Sequence, residues 1–559
     1  MTDCHQVQKL SAAGQEERNA GLVESKVFMQ AYMRKGVLLL LPVASALCIT
    51  FSLPPSELSI LAWFGLSPLL FALRQRGPRG AASLGFLFGS LFCIGSFSWF
   101  ATIDGAGLPK FLFLIVPIFS LYFLFFGFLY RLISRAIGPW IIVGAPALWL
   151  AMEYMRSNLF FLSLPWNLLG HSQYRYLPVI QIADITGVYG ISFLIVMVNQ
   201  FLSQMPDLFA MRRVVVSNDT HGAYSGKTWT LHLVAVALAL MLVFSYAWHK
   251  LIAPDSDAHI RVALVQGNVL ARDNMPLADQ AKHLRAYQRL TMEASRRNPA
   301  LIVWPSTSLP AQISSRLVRF SIRQFARESG AYLLVGGAGH EKFSPRKKGY
   351  LPFSNSEFLI APSGRLEGQY NKIRLLPFNE YLPVQGKITW PQWITTLPES
   401  FLPGKEHTLF QVSGVRFGTP ICSENMFSAL FRRFVKDGAQ FMVSVTNEGF
   451  FGRSGAPYQS LVLNVFRAVE NRVAIVRSSS TGISAFINPY GEIVERVRDS
   501  NGNDLFVPGV LVRDVPLSNH KTFYTVYGDI FAYVVIGMAA FIILASLYAQ
   551  KWPYSRWRT

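Results

Sequence analysis

Long uncharged apolar runs fill the first half of the chain and recur once near its end. They cover Val37–Leu53, Leu58–Leu73, Ala81–Ile103, Phe111–Tyr130, Pro139–Met152, Ile185–Leu202, Thr230–Trp248 and Ile530–Tyr548. Most approach the roughly 20 residues that cross about 30 Å of hydrocarbon as helix. These eight runs therefore predict eight membrane spans, the short second and fifth being completed by their flanks or partly buried among neighbours. From Ile260 onward the pattern changes. The runs IRVALVQGNV, LIVW (301–304), AYLLVGG (331–337), NSEFLIAP (355–362), RFGTPIC (416–422), FMVSVTN (441–447) and RVAIVRSS (472–479) read as strands. Leu277–Arg297, Gln312–Glu328, Met426–Lys436 and Ala456–Glu470 have helical spacing between them. Strands that are apolar nearly throughout and alternate with helices predict a buried sheet covered on both faces, an α/β sandwich. The resulting division is a polar tail (1–36), a membrane domain of about seven helices (37–250), a globular domain (251–525), a last span (526–549) and a short tail (550–559).

Composition agrees, with 51% hydrophobic and only 15% charged residues, against about 25% charged in ordinary soluble proteins. The excess of 52 basic over 32 acidic residues gives a net charge of +20, which suits either nucleic acid or an anionic membrane surface. Its placement decides. Arg34 and Lys35 precede the first run, Pro54–Glu57 carries no basic residue, and Arg74, Arg76 and Arg79 follow the second. After Lys110 alone come Arg131 and Arg135, then Arg156 and Arg175, then Arg212, Arg213 and Lys227. The positive-inside rule puts both termini in the cytoplasm, with the tail Lys551, Arg556 and Arg558, and leaves Leu251–Asp529 outside. The basic excess thus marks topology and lipid headgroups, and no nucleic-acid role is expected. Near the apolar runs, Glu153, Asp184, His171 and His232 are ionisable. Glu153 and Asp184 are expected to pair with Arg156 or Arg175, since charge in hydrocarbon is costly.

Of the cysteines, Cys4 lies in the polar tail, Cys48 and Cys93 in apolar runs, and Cys422 in GTPICSENMF (418–427). Without a second thiol in the globular domain, no disulfide engages Cys422, and a free thiol at the carboxyl end of a strand invites a chemical role. In YNKIRLLPFNEYLP, Tyr370–Pro383, Lys372 and Glu380 bracket Pro377. Taken alone they read as a solvated loop. Together, Lys372, Glu380, Cys422 and Glu424 end adjacent strand-like runs and are expected to converge. An ammonium beside a thiol favours thiolate, and a carboxylate fixes the ammonium in place. GKITWPQWITTLPESFLPG (386–404) offers Trp390, Trp393 and Phe401 as interfacial anchors or a lid, or as an ordinary packed loop. Phe450 and Phe451 stand between core and lid in the same way. No His/Cys cluster has metal-ligand spacing and no glycine loop cradles phosphate, so neither metal nor cofactor is expected.

Cys422, Lys372 and their surroundings resemble the nitrilase superfamily, whose sites use a Glu base, a Lys and a Cys nucleophile in that chain order. With helices before and after the domain, the motifs PWNLLGHSQ (165–173), IADITGVYGISF (182–193), PICSE, TNEGFFG (446–452), RAVENR (467–472) and STGISAFINPYG (480–491) are similar to the apolipoprotein N-acyltransferase family, from about Gly36 to Tyr548. The resemblance implies a multi-span α-helical membrane domain plus an α/β nitrilase-like sandwich (αββα). It implies transfer of a fatty acyl chain from a membrane phospholipid, through a Cys422 thioester, to the N-terminal amine of a diacylglyceryl-cysteine. Lys372 would stabilise the oxyanion, and Glu380 would orient Lys372 or share proton transfer. A monomer in the bacterial inner membrane, with its catalytic domain on the periplasmic side, is expected.

One departure matters. The family carries its glutamate in a motif resembling WPET, and this chain has LIVWPSTSLP, with Ser306 at that position. A hydroxyl cannot hold a proton reversibly near neutral pH. Ser423, where the family usually has Tyr, and Asn379, in place of a glycine, are lesser departures. A positioned base is worth about 10² to 10⁴ in rate, so its loss slows turnover without abolishing it, because an ordinary thiol is already roughly 3% thiolate at pH 7. Glu380 or Glu424 would substitute if either reaches the sulfur. The alternatives are a binding relative without useful turnover and a membrane-tethered carbon-nitrogen hydrolase in which water replaces the amine.

Overall fold

The computed structural model describes residues 36–103, 107–206, 226–252, 257–269, 275–340, 353–384, 387–391 and 401–551. Two six-stranded sheets form the globular domain. The first contains β1 (His259–Gln266), β2 (Leu301–Val303), β3 (Tyr332–His340), β4 (Phe353–Ile360), β5 (Leu366–Asn371) and β12 (Gly509–Pro516), in the order β12-β1-β2-β3-β4-β5. The second contains β6 (Leu409–Val412), β7 (Val415–Gly418), β8 (Phe441–Thr446), β9 (Ile475–Ser479), β10 (Ala485–Ile487) and β11 (Ile493–Arg496), in the order β11-β10-β9-β8-β7-β6. Each sheet has three parallel strands at its centre, β1-β2-β3 and β7-β8-β9, flanked by antiparallel ones.

Alternation along the first sheet sorts its two faces. Val262, Leu264, Leu301, Val303, Leu334, Leu359 and Tyr370 share one core with Phe417 and Met442 of the second sheet. Their neighbours Ala263, Val265, Ile302, Trp304, Leu333, Val335, Phe358 and Ile360 pack instead with Leu284, Tyr287, Val318 and Ile322, on the helices Leu277–Ser295 and Arg316–Ser329. Both faces are therefore dry, which is why these strands read as continuous apolar runs rather than as alternating ones. The predicted α/β sandwich and its helices are borne out.

Each of the eight apolar runs is helical. Four helices are long and apolar enough to cross a membrane: Pro78–Thr102, Gly107–Ala136, Gly226–Leu251 and Ile530–Tyr548. The remaining runs form the shorter Gly36–Ser52, Ser59–Arg74 and Val188–Leu202, together with Ile141–Asn158, which carries the buried Glu153 and Arg156. The helices Pro78–Phe97 and Val116–Ala136 approach closely through Gly85 and Gly127, where a Cβ would lie 2.2 Å from the Phe123 carbonyl oxygen and 2.4 Å from that of Ala81. Small residues at such crossings allow backbone contact.

The ion pairs near the membrane differ from expectation. Asp184 pairs with Arg472 of the globular domain at 3.0 Å and with Lys250 at 3.8 Å, while Arg175 pairs with Glu57 at 2.6 Å. Arg156 donates to the carbonyls of Trp166 and Asn167, and Glu153 accepts from the Leu169 backbone N–H. The partner of Asp184 comes from a position 288 residues away in sequence, beyond the reach of any local pattern. At the other end of the helix that precedes Arg472, Gln459 accepts from the Trp99 and Trp166 indoles at 3.0 and 2.8 Å and donates to the carbonyls of Pro54 and Ser96. The helix Ala456–Asn471 is thereby seated on the membrane domain.

Candidate active site

Beyond β7, Ile421 bridges to Val445 of β8, and the chain then turns sharply at Cys422, whose φ is +53°, into the single turn Cys422–Met426. A left-handed non-glycine residue costs on the order of 1–3 kcal/mol and persists only where its surroundings enforce it. Glu424 supplies that enforcement. Its fully buried carboxylate accepts from the backbone N–H groups of Ile421 (2.8 Å), Ile373 (2.7 Å) and Arg374 (3.0 Å), and from the Tyr370 hydroxyl at 2.9 and 3.0 Å. Burial raises its proton affinity, opposed by these bonds and by Lys372. With its oxygens so occupied, Glu424 clasps the nucleophile turn to the segment that carries the lysine.

Lys372 follows β5 directly, and its N–H is held by the Asn355 carbonyl at 2.8 Å. Its ammonium, 1% exposed, donates to both Glu380 oxygens at 2.9 and 2.7 Å. Glu380 also accepts from the Leu376 N–H and, at 3.4 Å, from the Asn355 amide. Burial alone would depress Lys372, but Glu380, then Cys422 and Glu424, outweigh it and hold the ammonium above its usual range. Glu424, two residues beyond Cys422, binds the backbone of Ile373 and Arg374 next to Lys372, so the cysteine and the lysine belong to one site. The structure brings together four of the residues singled out from sequence: Lys372, Glu380, Cys422 and Glu424.

Ser306 lies in the turn after β2, 1% exposed, its hydroxyl without a hydrogen-bond partner among the described residues. The next residue, Thr307, has φ +52° and accepts from the Asn447 amide at 2.7 Å. The Ser423 hydroxyl is likewise buried and unpartnered among the described residues. A further residue escaped sequence reading. Glu357, in β4, faces Gly336 of β3 and Tyr370 of β5 in the strand register. It is 0% exposed, and neither carboxylate oxygen has a partner among the described residues. Burial pushes its pKa well above the carboxylate range. A Cβ on Gly336 would sit 2.3 Å from Glu357 Oε1 and 2.8 Å from Ser306 Cα. The signal was available: an acidic residue inside the apolar run NSEFLIAP, where charge is almost never buried unpaired.

Trp390 stands edge-on to Phe378 at 4.9 Å, lies 6.4 Å from Phe161 of the membrane domain, and donates to the Pro383 carbonyl. Trp393 lies outside the described residues. Phe451 packs edge-on against Trp99 at 4.9 Å and also meets Trp166, while Phe450 beside it is 43% exposed. A cavity of about 270 Å³ runs between Phe160, Phe161 and Ser163 and the lysine-to-glutamate loop, lined there by Ile373, Arg374, Leu375 and Pro377. A recess of about 600 Å³ beside Arg261, Arg297 and Arg513 contains none of the site residues.

Stacked sheets bearing this cysteine, lysine and glutamate, joined to helices long and apolar enough to cross a bilayer, define a membrane protein with a carbon-nitrogen hydrolase domain. The carbon-nitrogen hydrolase family model matches residues 261–522, and that of the apolipoprotein N-acyltransferase N-terminal domain matches residues 45–201. The chain belongs to the apolipoprotein N-acyltransferase family. It is 34% identical to the apolipoprotein N-acyltransferase of Geobacter metallireducens over 92% of this chain and 95% of that one. It is 28% identical to that of Chlorobaculum tepidum, over 91% and 97%. Among solved structures, an amidase from Nesterenkonia sp. is 22% identical, covering 48% of this chain and 93% of its own, with a TM-score of 0.34.

Proposed function

We propose that the protein transfers a fatty acyl chain from a membrane phospholipid to the α-amine of a diacylglyceryl-cysteine at a lipoprotein N-terminus, by way of a thioester on Cys422. The observation that carries this reading is the buried Lys372–Glu380 pair, tied through the Glu424 carboxylate to a cysteine held on a sharp turn. In the first half-reaction the Cys422 sulfur attacks the ester carbonyl, and the lysophospholipid leaves. Lys372 meets the negative charge developing on the carbonyl oxygen, which a preorganised cation in a dry site stabilises strongly. Glu380 keeps that ammonium charged and aimed. In the second half-reaction the amine attacks the thioester and frees the sulfur.

Both substrates keep their chains in lipid, so the cavity between Phe160, Phe161 and the lysine loop is suited to an acyl chain. Arg374 on its wall, stacked 3.5 Å over Phe427, suits the donor's phosphate. The charge pattern of the loops supports a catalytic domain outside the cytoplasm and cytoplasmic termini. A single chain carries every residue invoked. Incubating the full-length protein with acyl-labelled phosphatidylethanolamine tests the reading: label on Cys422 that hydroxylamine removes, and that passes to a lipopeptide amine, is expected. Label released only to water would favour a hydrolase, and no label at all a binding relative.

A further inference from the structure

We propose that Glu357 is the general base and acid of this reaction, taking the proton-transfer role that the Ser306 hydroxyl is chemically unable to fill. The inference rests on the acyl-transfer reading above and adds a catalytic residue to it.

Within β4, Phe358 and Ile360 belong to the outer core, whereas Leu359 belongs to the core between the sheets. Alternation puts Glu357 on the same inner face as Leu359. Its partner in register on β5, Tyr370, lies in the inter-sheet core too, and bonds the Glu424 clasp of the nucleophile turn. Two residues before Glu357, Asn355 holds both the Lys372 backbone and the Glu380 carboxylate. Glu357 therefore stands in register among the elements that position the lysine and the cysteine. On its other side is Gly336, which has no side chain to exclude it. Glu357 Oε1 and Ser306 Cα lie 2.3 and 2.8 Å from one point, the site of a Cβ on Gly336. The carboxylate of Glu357 thus lies within one glutamate side chain's length of the residue 306 backbone. From β4, across the intervening β3, it comes close to the backbone position that bears the glutamate in the family's motif.

The second observation is isolation. Buried carboxylates are ordinarily paired or fully hydrogen-bonded. Here Glu380 and Glu424 obey that rule, with lysine, backbone and tyrosine partners. Glu357, equally buried, has no partner for either oxygen among the described residues. A carboxylate kept dry and unpaired costs the fold stability, and perturbed groups of this kind cluster at reaction centres. Burial also raises its affinity for a proton, toward that of a thiol, as general-base transfer from sulfur requires.

The steps balance. The Glu357 carboxylate takes the Cys422 Sγ–H proton, and the thiolate beside the Lys372 ammonium bonds to the acyl carbon. As the ester C–O bond breaks, the leaving alkoxide takes that proton from Glu357 and departs as the lyso alcohol. The neutral amine then bonds to the thioester carbon, its proton passes to Glu357, and the C–S bond breaks. The thiolate regains the proton, and both residues return to their starting states.

The test uses full-length protein in detergent with acyl-labelled phosphatidylethanolamine. E357Q and E357A are expected to slow Cys422 labelling by about 10² to 10⁴-fold, and S306E in the E357A background to restore at least tenfold of it. Alkylation of Cys422 by iodoacetamide gives a second readout independent of lipid. E357Q should be about tenfold slower than wild type at pH 7 and equal to it at pH 9.5, where the thiol ionises without help. Labelling of E357Q within threefold of wild type, or no gain from S306E, overturns the proposal while leaving acyl transfer intact. If wild-type protein takes no label, the acyl-transfer reading fails, and the alkylation comparison still decides Glu357, equal rates at pH 7 overturning it.

Discussion

Lys372 and Glu380 share two hydrogen bonds, of 2.9 and 2.7 Å, in a place where both are buried. Such a pair is a poor source of net stability, because desolvating two charges offsets their attraction, but removing one partner strands the other and costs about 3–5 kcal/mol. Glu380→Ala is therefore expected to lower the melting temperature of the detergent-solubilised protein by several degrees and to slow Cys422 labelling by at least about 10²-fold. Lys372→Met should abolish labelling outright. A Glu380→Ala protein that labels at the wild-type rate would remove Glu380 from the site.

Glu424 presents a different case. Its oxygens receive three backbone N–H groups and one hydroxyl from two separate segments, so its work is to fix Cys422 relative to Lys372. Glu424→Gln keeps the shape but converts one oxygen into a donor that faces N–H groups. Hydrogen bonds to a charged acceptor contribute about 1.5–3 kcal/mol each, so a loss of at least about 3 kcal/mol is expected. Chemical denaturation followed by tryptophan fluorescence measures it. Labelling of the surviving folded fraction should fall as well, since the turn at Cys422 loses its clasp.

The central strands were legible because burial on both faces writes them as unbroken apolar runs. The strands β5, β6, β11 and β12 were not, since their exposed or half-exposed positions dilute the signal, nor was β10, which is buried but only 3 residues long; Leu366–Asn371 reads as polar although it delivers Lys372. Lys372, Glu380, Cys422 and Glu424 were found through motif and strand-end position. Glu357 was passed over because it sits inside a strand rather than at its end. Only the cross-strand approach at Gly336 brings it close to Ser306. Asp184 and Arg472, far apart in sequence, illustrate the same limit.

Trp390, Phe378 and Phe161 form a cluster with centroid separations of 4.9, 6.2 and 6.4 Å, and Phe161 also lines the cavity beside the lysine loop. Each aromatic pair contributes about 0.5–1.5 kcal/mol beyond area burial. Trp390→Ala is expected to reduce transfer from a long-chain donor by about tenfold, the equivalent of about 1.4 kcal/mol. Transfer from a short-chain donor should stay within about twofold of wild type, because little of its binding energy comes from the cavity. Equal losses for both donors would place Trp390 in the scaffold rather than over the acyl chain.

Gln459 joins the two domains by accepting from two indoles and donating to two carbonyls while nearly buried. Gln459→Ala leaves these groups without their partner, at a cost of about 1–3 kcal/mol for each that water fails to reach. A clear drop in melting temperature and faster proteolytic separation of the globular domain are expected. Cys422 labelling per folded molecule should change far less, as the hydrogen bonds of Gln459 go to Trp99, Trp166, Pro54 and Ser96 rather than to Lys372, Glu380 or Glu424.

Glu357 ties the stability of the fold to pH. In the unfolded chain it titrates near the ordinary glutamate value of about 4.3, whereas burial raises it well above that in the folded protein. Between the two values the unfolded chain has released its proton and the folded one has kept it, so stability falls as pH rises through that window. Below the ordinary value the residue is protonated in both states and contributes no such term. Glutamine at 357 does not titrate and escapes this loss. Glu357→Gln is therefore expected to match wild type in melting temperature near pH 4, to exceed it increasingly toward neutral pH, and to level off once the folded-state value is passed. Melting curves between pH 4 and pH 9 in detergent measure this. A variant that melts below wild type at pH 7.5 would mean that a cation or donor already stabilises the carboxylate, and would identify Glu357 as part of the scaffold.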